Sequence, residues 1–434
     1  MKGTLAVIAL ATAIASPARA QTSSSTTAEP LTTEVRPETA PGLDLPTLVL
    51  RLPQAFLELA FVPLMPVAVL FERYHVIDRL FDLFTNDAKT LAVVPIVVPF
   101  NASGIGVGAT LVYNEPLGSA DRLIAVVLVR ENRDRNISVS FGRRLATLNG
   151  RAFSLGASYS SDHDQRIYGF GAGTQESDER LIRVDGVDAT ASFQLIAPAR
   201  VPEYSAGVGA AFRRRRIGVG SGDRAPGLAP NDSVAVPPGF GRTLDYPEFS
   251  LESAYDSRDS VGRTTKGIIA SLQSSVTHDM NGGSTGGVRI EGGFSAFLPL
   301  LPLYRVLYLS VGAAGTVPIG EENEVPLHQM VSLGGSGSLR GYPSDRFLGR
   351  MGWWATAEWR YRFYEYEDST IGLSAVWFGD LGQVSNDVDG FGDGLPWSVG
   401  FALRAEQNLI NLGRAQIAYG PEGFRFSVGV GEVF

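Results

Sequence analysis

The stretch WWATAEWRYRF, residues 353–363, sorts its side chains by alternate positions. Trp353, Ala355, Ala357, Trp359, Tyr361 and Phe363 fall on one face, and Trp354, Thr356, Glu358, Arg360 and Arg362 fall on the other. A period of two is that of a β-strand. One apolar face against one largely charged face is the pattern of a strand with lipid outside and water inside. The terminal run FRFSVGVGEVF, residues 424–434, repeats it, with Phe424, Phe426, Val428, Val430 and Phe434 on one side.

Extended along the chain, the same alternation predicts sixteen strands near 90–99, 104–113, 120–132, 136–147, 151–163, 180–197, 204–218, 245–257, 266–279, 286–299, 305–318, 351–366, 369–381, 395–408, 412–420 and 423–433. Connection lengths supply an independent check. The long ones, 164–179, 219–244, 319–350 and 382–394, all follow odd-numbered strands, whereas those after even-numbered strands are mostly short. Outer-membrane barrels have long loops outside and short periplasmic turns, so both termini are expected in the periplasm. The expected fold is all-β: a 16-stranded antiparallel transmembrane β-barrel over residues 89–434, preceded by a short helical segment.

Composition agrees with a membrane barrel. Charged residues are 19% of the 434, below the roughly 25% of an average soluble protein. Beyond the N-terminus no run of about 20 uninterrupted apolar residues occurs, as a membrane helix requires, and the other structure that satisfies its backbone in lipid is a closed barrel. A net charge of −8 argues against a nucleic-acid partner. Residues 1–20, MKGTLAVIALATAIASPARA, read as a secretory signal ending in the A-x-A site Ala18-Arg19-Ala20. Residues 21–42 are rich in Ser, Thr, Pro and Glu and read as a disordered linker. Residues 43–88 read as a periplasmic helical segment, amphipathic on the membrane surface or docked at the barrel mouth. Pro53, Glu58, Pro63 and Pro66 interrupt the apolar run that a membrane anchor would need.

Catalytic motifs lack their context. GGSTG, residues 282–286, matches a nucleophile elbow around Ser284, but that motif needs a strand-turn-helix and this one sits in a hairpin loop. The four histidines, His75, His163, His278 and His328, have no metal-ligand spacing. His163 beside Ser160 and Ser161 is the nearest approach to a catalytic pair. YGFGAG, residues 168–173, is followed by no helix and so is no dinucleotide loop. No enzyme activity, cofactor or metal is expected. The basic run Arg213–Arg216 points two arginines outward by alternation; these either contact phosphate-bearing lipopolysaccharide or form a solvated rim.

LGGSGSLRGYPSDRFLG, residues 333–349, places glycines around Arg340 between two strands. It resembles the sixth outer loop of the BamA/TamA-type outer-membrane assembly barrels, the bacterial surface antigen family. YGFGAGTQES resembles that family's Y-x-G-x-G element. YDSRDSVGRTTKG resembles its periplasmic turn, through Asp256, Arg258, Asp259, Thr265 and Gly267, with Thr264 where proline is usual. VWFGDLGQV resembles its F-x-D-x-G element, through Phe378, Asp380 and Gly382. The resemblance implies that Arg340, with Gly341 and Tyr342, folds back into the lumen and pairs with wall carboxylates. Alternation points Glu358 and Asp380 inward to receive it.

It further implies a role in protein or lipid insertion or transport at the outer membrane of a Gram-negative bacterium. The alternative is a passive channel or structural barrel whose loop only constricts the pore. Expected partners are outer-membrane lipids, the barrel-assembly machinery reading the end at Phe424, Phe426 and Phe434, and a periplasmic protein on residues 45–87. The family also carries periplasmic POTRA domains, for which residues 21–90 leave no room, so the expected member lacks them. Gly429 and Gly431 offer few packing contacts on the last strand, compatible with a seam that opens against the first.

Overall fold

A computed structural model describes residues 79 and 82–429, apart from 102–103, 119–120, 146–150, 197–202, 261–263, 283–284, 302–304, 320–323, 366–370, 393 and 408–409. The expected signal, linker and most of the helical segment, and Ser284 and Phe434, lie outside the described residues. Residues 82–84 are helical.

The chain forms β1 (Leu91–Asn101), β2 (Gly104–Asn114), β3 (Asp121–Arg130), β4 (Arg135–Leu145), β5 (Arg151–Ile167), β6 (Arg180–Ile196), β7 (Glu203–Val219), β8 (Thr243–Asp256), β9 (Gly267–His278), β10 (Gly286–Leu301) and β11 (Arg305–Pro318). A small hairpin follows, β12 (Val331–Leu333) with β13 (Phe347–Gly349). The wall then continues as β14 (Met351–Glu365), β15 (Ile371–Ser385), β16 (Trp397–Gln407), β17 (Ile410–Gly420) and β18 (Gly423–Gly429). All but β12 and β13 belong to one 16-stranded sheet in chain order, every neighbour antiparallel. Its end strands β1 and β18 approach each other, but among the described residues no ladder joins them.

The long connections, 168–179, 220–242, 319–350 and 386–396, follow β5, β7, β11 and β15 and so share one end of the sheet. By the loop-length rule this is the outer end. Two strands outrun their sequence-based limits by four residues. β5 continues to Ile167 because a register shift between Asp162 and Gln165 breaks the alternation without ending the pairing. β15 continues to Ser385 because its ladder to β14 runs on through Gly382↔Trp354 to Ser385↔Met351. There a Cβ on residue 382 would lie 2.9 Å from the Trp353 carbonyl oxygen, so glycine allows the strands to close up. The hairpin β12–β13 was not expected at all, since three residues per strand are too few to show a period.

Alternation sorts the Arg213–Arg216 run as expected: Arg214 and Arg216 are exposed, while Arg215 is buried and Arg213 half-buried. Inside, Arg213 binds Glu248 through two nitrogens and Arg215 pairs with Asp188 at 2.7 Å. A lumen wall of paired charges is ordinary for such a sheet. The inner face of β1–β3 is different. Ala92, Val94, Ile96, Val112, Ile124 and Val126 form an apolar cluster there, whereas their outward neighbour Val127 is 46% exposed.

Candidate functional site

The connection from β11 to β14 turns back onto the inner face of the sheet. Val331, Leu333, Leu339, Tyr342 and Phe347 pack with Ala314 of β11, Val384 of β15 and Trp354 of β14. The turn uses left-handed backbone at Gly334 and Gly335, with φ of 117° and 73°, conformations that glycine adopts without a Cβ clash. Ser338 Oγ accepts from the Gly334 amide at 2.9 Å, and the Gly335 amide donates to the Tyr342 carbonyl at 3.0 Å. The result is a closed tip with Arg340 at its end.

Arg340 is fully enclosed, as are both of its carboxylate partners. Its Nη2 and Nε donate to Asp380 at 2.6 and 2.9 Å, its Nη1 donates to Glu358 Oε1 at 2.6 Å, and its backbone amide reaches Asp380 Oδ2 at 3.1 Å. The guanidinium carbon lies 3.5 Å from the centroid of the Phe378 ring. Thr356 and Ser398 donate further hydroxyls to Asp380, and Arg360 and Arg404 share Glu358. Period two explains the convergence: Thr356, Glu358 and Arg360 are alternate residues of β14, facing Phe378 and Asp380 of β15 through the register Glu358↔Phe378 and Thr356↔Asp380. A planar fork can satisfy two carboxylates and a ring face at once; an ammonium cannot.

Gly341 makes room for a close approach. A Cβ there would meet Ser398 Cβ at 2.7 Å and the Gly420 amide nitrogen at 3.2 Å. Glycine is needed because the tip lies directly against the backbones of β16 and β17. Tyr342 packs edge-on against Phe347, with centroids 5.0 Å apart.

A second loop arginine was not anticipated. Arg346 is 3% exposed. It donates from Nε to Glu422 Oε1 at 2.6 Å, in the β17–β18 turn, and from Nη1 and Nη2 to Thr174 Oγ1 and O at 2.8 and 2.7 Å, in the β5–β6 loop. Tyr168 of the YGFGAG stretch lies under its guanidinium at 4.6 Å, and the Gly171 amide donates to Leu348 at 2.6 Å. That glycine-rich stretch is therefore a platform for the loop. No signal in the chain marked Arg346, whose partners lie far away in sequence.

The periplasmic turn between β8 and β9 holds the other motif residues. Arg258 pairs with Asp256 at 2.7 Å. Asp259 accepts from the Thr265 hydroxyl and amide and from the Lys266 amide. Partial burial pushes its carboxyl up, but these bonds outweigh it and hold the group below the usual carboxylate range. At Gly267 φ is 119° and a Cβ would meet the Ser257 carbonyl at 2.5 Å. Thr264, in place of proline, donates to the Ser260 carbonyl at 2.6 Å, so a hydrogen bond stands where a ring would. Phe424 and Phe426 point outward and are among the most exposed side chains of the sheet.

His163 does not meet a serine. Its Nδ1 lies 3.5 Å from Asp134, and Ser161 donates to Asp185 at 2.6 Å. At the same outer rim, Asp134, Asp162 and Asp164 each bring one carboxylate oxygen within 4.8 Å of the others.

Comparison with solved structures finds the same sheet elsewhere. BamA from Haemophilus ducreyi, lacking POTRA domains 1–3, superposes with a TM-score of 0.56 at 19% identity, over 79% of this chain and 70% of that one. CdiB from Escherichia coli gives 0.51 at 16% identity, over 78% and 62%. Both likenesses show the fold, a β-barrel. Comparison with curated proteins gave no match. The model of the Omp85 superfamily domain matches residues 117–434, which include the inward loop, its wall partners and the β8–β9 turn; the chain belongs to the Omp85 superfamily.

Proposed function

We propose that this outer-membrane barrel of a Gram-negative bacterium inserts or transports proteins or lipids at the seam between β1 and β18, with the β11–β14 loop latched inside by Arg340. The observation that carries the reading is the contrast in the wall itself. Every other pair of neighbouring strands is laddered, while β1 and β18 approach without a ladder among the described residues. An unladdered edge offers free backbone donors and acceptors to an incoming strand. Meanwhile Arg340 holds the loop against β14 and β15, and Arg346 ties it to the outer ends of β5–β6 and β17–β18. The lumen is thereby kept closed while the seam remains the weakest line. Of the two outward arginines in the basic run, Arg214 is bound by Asp245 at 2.7 and 2.9 Å, so Arg216 is the one assigned to lipopolysaccharide phosphate.

The test is reconstitution into liposomes with an unfolded outer-membrane barrel as client. Folded client should appear faster than with empty liposomes, and a disulfide joining β1 to β18 should abolish the gain. Equal rates with and without the protein would overturn the reading. A steady, large, single-level conductance in planar bilayers would instead favour a passive channel.

A further inference from the structure

The inner face of β1–β3 presents a puzzle of burial. In the register Ala92↔Val112↔Ile124 and Val94↔Thr110↔Val126, three adjacent strands turn aliphatic side chains toward the lumen. Val112 is 1% exposed, Val126 2%, Ile124 6% and Ala92 8%. A single sheet face cannot bury itself to that degree; side chains on neighbouring strands stand side by side and leave their tips uncovered. Yet among the described residues the cluster draws on β1, β2 and β3 alone. An aliphatic face left against lumen water would forgo the stabilisation that burial gives.

The chain enters the sheet at this spot. Thr85 forms an antiparallel bridge to Ala92, one of the buried residues, and Asn86 closes the turn between them through its side chain and backbone. The segment just before Thr85 therefore starts at the foot of the apolar face. Its sequence, VAVLFERYHVIDRLF over residues 67–81, places Leu70, Tyr74, Ile77 and Phe81 at i, i+4, i+7 and i+11. That is one stripe of a helix. Arg79 and Asp82 fall on the other side, with Asp78 beside them. Fifteen residues of helix span about 22 Å, more than the roughly 13 Å of strand from Ala92 to Ile96.

We propose that residues 67–81 dock inside the barrel, their Leu70–Phe81 stripe covering the inner face of β1–β3 and their polar side facing the lumen. The N-terminal flank of the seam is then a two-layered wall, sheet plus internal segment, rather than a bare edge strand. The assignment stands independently of any insertion activity, because it rests on burial and chain path.

Adjacent residues that point to opposite faces provide the test. The chain has no cysteine, so engineered pairs report cleanly. In the full-length protein in lipid vesicles, L70C, Y74C and I77C are each combined with inward V126C or outward V127C, and oxidised. Intramolecular disulfides are read by gel mobility. At least one stripe position should cross-link to V126C and none to V127C. Cross-linking to V127C alone, or to neither, overturns the proposal; the latter outcome would leave the segment to the membrane surface or another protein. A second measurement avoids oxidation. V126C alone should react with a water-soluble maleimide at least tenfold more slowly than an exposed control, P421C, in protein confirmed folded by its gel mobility. Rapid labelling of V126C would show an open face and equally overturn the proposal.

Discussion

The two flanks of the seam are built from opposite materials. On the C-terminal side the inner wall of β14–β16 carries Glu358, Asp380, Arg360 and Arg404, and a loop arginine completes the charge pattern. On the N-terminal side the inner wall of β1–β3 carries the aliphatic cluster of Ala92, Val112, Ile124 and Val126. Each wall recruits a cover of matching chemistry. A buried carboxylate needs a cation in hydrogen-bonding geometry, which a glycine-rich loop can bring from a distance. A buried aliphatic face needs only apolar area, which has no direction, so a neighbouring segment suffices. The flanks should therefore fail differently when their covers are removed.

The largest effect is expected at Glu358, which three guanidinium groups share. Glu358→Ala would leave Arg340, Arg360 and Arg404 crowded without their common carboxylate, and the folded band on an unheated gel should be lost well below the wild-type temperature. Next comes the loop itself. Arg340→Ala strips Asp380 of its ion pair, and Asp380→Ala removes the bidentate partner of Arg340 and leaves it only Glu358, losses of up to about 3–5 kcal/mol. In a double-mutant cycle the two losses should be clearly less than additive. Strict additivity would show that the contact carries no coupling and would dissolve the contrast between the flanks.

The apolar flank sharpens the comparison from the other side. If Ile124 is covered, Ile124→Ala removes packed methyls and costs about 2–4 kcal/mol. On a bare lumen face the same substitution would cost under about 1 kcal/mol. Denaturant unfolding from detergent separates these values. At the tip of the loop, Gly341→Ala forces a methyl against Ser398 and the β17 backbone, an overpacking cost of about 1–3 kcal/mol. Limited proteolysis at the loop would report the tip lifting from the wall.

How much of this could be read beforehand follows from the same contrast. Strand number and facing came from period two, which survives wherever side chains alternate between lipid and water. Glu358 and Asp380 were legible as inward carboxylates for that reason. Arg346 was not, because loop residues have no period and its partners Glu422 and Thr174 lie 76 and 172 positions away. Gly341 was legible only as part of the inward tip, since sequence cannot distinguish a glycine that bends from one that makes room. The apolar flank was hidden differently. LAVVPIVVPF is apolar at every position, and a continuous run registers as a strand without revealing that both of its faces need cover.

The smallest effect belongs to a site away from both flanks, the periplasmic turn at Asp259. Its folded carboxyl is held below the ordinary value by Thr265 and Lys266. The sign follows from linkage: a depressed carboxylate contributes its stability above the unfolded value near pH 3.9 and loses it as pH falls through the lower folded value. Between pH 5 and 8 the turn should therefore be insensitive to pH, and Asp259→Asn should lower that plateau by a small constant amount while converging with the wild type at acid pH. Arg340→Ala, by contrast, should lower the profile far more and at acid pH as well, because it removes a buried ion pair and the packing of the loop tip. Melting curves of the two variants at pH 3, 5 and 7 separate the cases. An Asp259→Asn profile displaced uniformly would mean that the turn acts through packing, and that the carboxylate's hydrogen bonds to Thr265 and Lys266 are incidental to it.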